Sequence, residues 1–103
     1  MEYNITISHS INNDLQAIYE SLYDFGENPL KKFNESVDKF VEKVSEMPYL
    51  FSAYEWNPKY RRASLAYGYL IFYRVNKEDN TVKLYRVLHG KSNIEKGLEE
   101  VDE

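Results

Sequence analysis

The 103-residue chain has no cysteine, three prolines, four glycines and one tryptophan. Without thiols, neither a disulfide framework nor a thiolate metal site can form, which fits a reducing cytosol. The glycines at 26, 68, 90 and 97 are too scattered for a phosphate-cradling loop. His9 and His89 are too far apart in sequence to suggest metal-ligand spacing, so no metal and no cofactor are expected. A Gly-x-Ser-x-Gly elbow is also missing, which removes the usual support for nucleophilic acyl chemistry. Long apolar runs are absent: the longest, residues 69–73, falls far short of the roughly 20 residues that span a bilayer. The opening Met-Glu-Tyr-Asn-Ile has neither a positive n-region nor an apolar core, so a soluble cytoplasmic protein with no membrane partner is expected.

What is abundant is tyrosine, with ten residues, and charge that is unevenly spread. Tyrosine packs as an aromatic yet keeps a hydroxyl for water, phosphate or a partner. The net charge of -4 conceals a basic middle: residues 57–93 carry eight Lys/Arg against two acids, a balance of +6. Residues 1–56 stand at -6 and residues 94–103 at -4. This asymmetry points to an acidic or polyanionic partner for the middle of the chain.

With 43% hydrophobic residues, the length suits a single domain over 1–103 with one modest core. Tyr3, Ile5 and Ile7 alternate with polar residues and predict a short strand. Ser8 or Ser10 then caps a helix whose apolar face is Ile11, Leu15, Ile18, Leu22 and Phe25, with Gly26 as a left-handed stop. Asn28-Pro29 reads as a cap followed by proline at the first helical position. The second helix carries Leu30, Phe33, Val37, Phe40, Val44 and Met47, and Pro48 ends it. Its Lys31, Lys32, Lys39 and Lys43 interleave with acids as a solvated face. Strands are predicted over 50–56, 62–67, 69–75 and 81–89, the last two joined by the polar turn 76–80, and Ser92 or Asn93 caps a last short helix. The order implies an α+β fold: an N-terminal strand and a two-helix hairpin packed on one face of a twisted, largely antiparallel sheet, with a short C-terminal helix. The acidic end, residues 99–103, is expected to fray into solvent.

His89 is the candidate general acid/base, since imidazole titrates near neutral pH. A histidine at a strand end beside a turn glycine is, however, more often a hydrogen-bonded structural residue. Arg61, Arg62, Arg74 and Arg86 can grip phosphates or carboxylates through paired donors. A Tyr/Arg sheet surface also suits nucleic acid. Tyr69, Tyr73 and Tyr85 equally serve as cross-strand pairs, and Arg74 can simply pair with Glu78 or Asp79 at the surface. Arg61 and Arg62 are adjacent in a strand and so face opposite sides, which excludes both from one site.

Read in order, Asn28-Pro29, Pro48, Tyr60-Arg61-Arg62, Ile71-Phe72-Tyr73-Arg74-Val75 and Arg86-Val87-Leu88-His89-Gly90 followed by Asn93-Ile94-Glu95 resemble the RelE/ParE toxin superfamily over residues 3–98. The resemblance implies a toxin of a bacterial type II toxin–antitoxin pair, held in a heterocomplex by a cognate antitoxin. It implies one of two activities: mRNA cleavage on the ribosome in the RelE-like branch, or poisoning of DNA gyrase in the ParE-like branch. Many ribonuclease members begin the central strand with arginine, where this chain has Leu70. A basic residue after the final strand is matched by Lys91 or Ser92, and a late catalytic tyrosine by Leu98. The ribonuclease set is therefore incomplete, and the Asn-Ile-Glu tail resembles the ParE-like branch more closely. The expectation is a ParE-like gyrase inhibitor using Tyr60, Arg61, Arg62, Arg74, Arg86 and Lys91 as partner or nucleic-acid contacts. The alternatives are a ribosome-dependent ribonuclease with Arg61, Arg86 and His89 as catalytic residues, and a silent member that retains only antitoxin binding.

Overall fold

A computed structural model of the chain describes residues 2–100. The elements run β1 (Asn4–Ile7), α1 (His9–Tyr23), α2 (Glu27–Glu46), β2 (Arg61–Ser64), a 3-10 turn (Ala66–Gly68), β3 (Tyr69–Asn76), β4 (Thr81–His89) and α3 (Ile94–Glu99). The sheet order is β1-β4-β3-β2: β2–β3 and β3–β4 are antiparallel, and β1 lies parallel to β4. Residues 101–103, part of the end expected to fray, lie outside the described residues.

Ser8 caps α1, its Oγ accepting the Ile11 N–H at 3.3 Å while its own hydroxyl donates to the Tyr85 carbonyl at 2.7 Å. The cap thus also joins the helix to β4. Gly26, with φ of 100°, is the residue before α2, so Asn28-Pro29 falls inside its first turn rather than at the cap. Nothing is lost by the shift, because N–H groups throughout the first turn have no intrahelical acceptor. Phe25 and Met47, expected on the buried faces, lie just past their helices and are 75% and 51% exposed.

The helices supply Ile11, Ile18, Leu22, Phe33, Phe40 and Val44 to one core, and the sheet answers with Ala63, Ile71, Tyr73, Val82, Leu84 and Val87. Phe33 and Val44 are fully enclosed, each burial worth about 1.5–3 kcal/mol. A second cluster covers the opposite face: Tyr54, Tyr60, Phe72, Tyr85 and Leu98, flanked by Leu70, Leu88 and Ile94. The middle of β3 is therefore buried on both faces, which explains its unbroken apolar run. A bulge shifts the register between Phe72 and Tyr73, opposite Arg86 and Leu84, so Tyr85 and Arg86 both turn toward the second cluster.

The strand expected over 50–56 does not form. This segment makes turns and bends, with a single bridge, Ala53 opposite Arg61. Only the short stretch around Ser52 and Tyr54 reaches β2, through Arg62 N–H to Ser52 O and Tyr54 N–H to Tyr60 O. A tight reversal follows, closed by Asn57 N–H to Tyr54 O and Tyr60 N–H to Asn57 O. The predicted strand 62–67 is shorter, because Tyr67 and Gly68 take positive φ and turn the chain into β3.

Candidate functional site

Strand register assigns each basic residue to a face. Tyr73 and Ile71 belong to the helix-side core, so Arg61, opposite Tyr73, points to that side. Its guanidinium donates to the Phe51 carbonyl at 2.6 Å and lies over the Tyr49 ring, 4.8 Å from the centroid. Arg61 thereby holds the 49–51 segment against the sheet beside Tyr73. The Tyr73 hydroxyl donates to Pro48 O at 3.0 Å, and burial pushes its pKa up to about 12 despite the opposing Arg61 charge.

Arg86, opposite Phe72, lies on the other face. Its Nε and one terminal nitrogen donate to the two Asp14 oxygens at 2.8 Å each, and the other terminal nitrogen donates to Gly97 O at 2.7 Å. Asp14 also accepts the Val87 N–H at 3.0 Å. Asp14 occupies the edge of β4 beyond the end of β1, where a strand would otherwise pair. One guanidinium therefore ties α1, β4 and α3, and the Asp14 hydrogen bond holds the Arg86 pKa above its ordinary value against the effect of burial. With side chains 14% and 11% exposed, the pair is largely out of solvent.

His89 ends β4 opposite Tyr69, their rings edge-on at 5.1 Å between centroids. Its Nδ1 accepts the Lys91 N–H at 3.1 Å, which requires the neutral ring to carry its proton on Nε2. Its carbonyl accepts the Ser92 hydroxyl at 2.6 Å. A Cβ at Gly68 would stand 3.1 Å from Nε2, so glycine there leaves the imidazole its space. Lys91 is exposed in the turn that follows.

These positions do not converge. The Arg61 and His89 rows lie four positions apart on β3, about 13 Å along the strand, and Arg86 faces the opposite side. Of the expected partner contacts, Arg62 and Arg74 are exposed on the face of the second cluster. Tyr60 belongs to that face but is 2% exposed, buried beneath Lys59, whose Nζ is 5.4 Å from its ring centroid. Lys59 and Lys83, absent from the expected contacts, complete the basic surface there. Asp14 was also missed as the partner of Arg86, although a carboxylate beside the apolar stripe of α1 marked it.

The chain superposes on a free-state structure of the Escherichia coli toxin RelE, carrying two arginine-to-alanine substitutions, with a TM-score of 0.65. That match covers 97% of this chain and 94% of the other at 18% identity, a likeness of fold. No curated protein sequence matches the chain. The sequence profile of the ParE toxin of the type II toxin–antitoxin system parDE matches residues 5–94. The chain belongs to this family, within the RelE/ParE superfamily, and membership implies a cognate antitoxin as partner. Among the described residues no helix is long and apolar enough to cross a membrane.

Proposed function

We propose that this toxin acts in the cytoplasm by binding DNA gyrase and arresting it on DNA, and that it cleaves no RNA itself. The observation that supports this reading is the dispersal of the three groups an RNA-cleaving site would need. Arg61 is engaged by the Phe51 carbonyl, Arg86 by Asp14 and Gly97, and His89 by its own turn, on two faces of the sheet. Phosphoryl chemistry needs donors and an acid/base positioned around one phosphate, and loss of one such donor costs about 10²–10³ in rate. Binding to a protein target needs no such convergence.

The test is to incubate purified toxin with gyrase, ATP and relaxed plasmid, then denature the protein and score linear DNA. Accumulation of linear plasmid is the expected result. A parallel translation extract programmed with a defined mRNA examines the ribonuclease alternative. Cleavage of ribosome-bound message with gyrase untouched would overturn the proposal. Silence in both assays, with antitoxin binding intact, would identify a member that retains only the interaction.

A further inference from the structure

Away from Arg86, the face of the sheet that bears the second cluster carries a further grouping of charge. Arg74 of β3 stands directly opposite Lys83 of β4. Both lie over the Tyr85 ring, Arg74 Cζ at 5.8 Å and Lys83 Nζ at 5.3 Å from its centroid. Tyr85 meets Tyr60 edge-on, with 5.4 Å between centroids, and Lys59 covers Tyr60 in turn. A phosphate seated between Arg74 and Lys83 meets two cations at once. The two residues line an open groove of about 580 Å³ that also includes Thr6 and Thr81. Glu78 and Asp79 line its hairpin end, where the Asp79 carboxylate is engaged by the Asn76 amide at 3.0 Å.

We propose that this groove binds the phosphodiester backbone of duplex DNA, so that the toxin grips the DNA held by gyrase as well as the enzyme. The biological setting rests on the gyrase reading; the groove chemistry does not. Burial of the rings favours a duplex over a single strand. Tyr60 is 2% and Tyr85 6% exposed, so neither offers a face to an unstacked base. Readers of single-stranded nucleic acid depend on open aromatic platforms. Here the tyrosines are roofed by cations, and the surface presents charge and hydroxyls, which position a backbone without reading bases. Lys59 and Arg62, on the same face as Arg74 and Lys83, favour approach of a polyanion to this part of a chain whose net charge is -4.

The experiment is a fluorescence-anisotropy titration of antitoxin-free toxin with a labelled DNA duplex, repeated at several salt concentrations. Single-stranded RNA of the same length and a Glu-rich peptide are titrated in parallel. The duplex is expected to bind tightest, with log K falling linearly in log salt. The double variant Arg74→Gln/Lys83→Gln is expected to flatten that slope by about 1.8, and Lys83→Gln alone by about 0.9. Lys31→Gln, on the exposed side of α2, is expected to leave the slope unchanged. A thermal melt establishes that each variant folds, and the single substitution carries the test if the double one does not fold. Absence of salt-dependent duplex binding, or an unchanged slope in the folded variants, would overturn the proposal. So would tighter binding to RNA, which would make the face a single-strand reader, or to the peptide, which would make it a protein-docking surface. If duplex binding fails while gyrase still yields linear plasmid, this inference falls and the gyrase reading stands. Duplex binding with gyrase unaffected supports the groove and removes the gyrase reading.

Discussion

Replacing Asp14 tests whether Arg86 is part of the scaffold or part of a reactive site. Asp14→Ala removes three hydrogen bonds at once, two from Arg86 and one from the Val87 N–H. It leaves a guanidinium whose side chain is only 14% exposed with Gly97 O as its remaining partner among these contacts. Breaking a buried pair by deleting one member costs about 3–5 kcal/mol, because the other charge stays desolvated. Against a domain stability of about 5–15 kcal/mol this is a large share. At a urea slope of about 1.5 kcal/mol/M, the midpoint falls by about 2–3 M. The double variant Asp14→Leu/Arg86→Met removes both charges and leaves the Val87 N–H without its acceptor, a residual cost of about 1–3 kcal/mol. Urea unfolding of both variants should therefore show a double substitution milder than Asp14→Ala alone. Growth arrest on induction supplies the functional reading: toxicity should follow the folded fraction and return in the double variant. A loss below about 1 kcal/mol in Asp14→Ala would place the pair among exposed salt bridges and refute the reasoning. A folded but non-toxic double variant would instead give Arg86 a direct role at the target.

Ser8→Ala removes both the α1 cap and the bond to Tyr85 O, and thermal melts should show a loss of about 1–2 kcal/mol. Gly97→Ala places a Cβ 2.7 Å from Leu88 Cδ1; the resulting strain of about 1–3 kcal/mol should outweigh alanine's helical advantage of about 1 kcal/mol, and Leu88→Ala in the same chain should relieve it. Tyr73, with its pKa raised from 10.0 to about 12 in the folded protein, binds its proton more tightly folded than unfolded. Its contribution is fully present below pH 10 and is lost as pH rises through about 12. Tyr73→Phe should flatten the stability profile over that window, measured by chemical unfolding at stepped pH, and lower stability at neutral pH by about 0.5–1.5 kcal/mol for the bond to Pro48 O.

The sequence spoke clearly where burial and backbone geometry agree. Burial on both sides makes β3 an unbroken apolar run, and the polar turn after it fixes where β4 begins. The helical faces were legible by spacing up to their last turns, where Phe25 and Met47 continue the period after the helix has ended. Residues 50–56 misled because aromatic content signals a pleated surface without saying whether a partner strand is within reach. Only the neighbourhood of Ser52 and Tyr54 finds β2 before the chain must reverse. Likewise, the alternation of Tyr3, Ile5 and Ile7 announces a strand, but its parallel pairing with β4 depends on a contact some eighty residues away.

The basic middle of the chain shows the same distinction acting on charge. A sequence window counts Arg86 toward the polyanion-facing surplus, yet its charge is answered by Asp14, a residue of the acidic N-terminal half. Arg61 is counted too, but it points to the helix side and is engaged by a backbone carbonyl. The charge on the open face therefore comes from Lys59, Arg62, Arg74 and Lys83, two of them lysines that no motif singles out. Motif resemblance recovers residues that a fold repeats, and in this chain Arg61 and Arg86 hold the fold together. Strand register finds the cations that a target can meet, because it places Arg74 and Lys83 side by side over one ring.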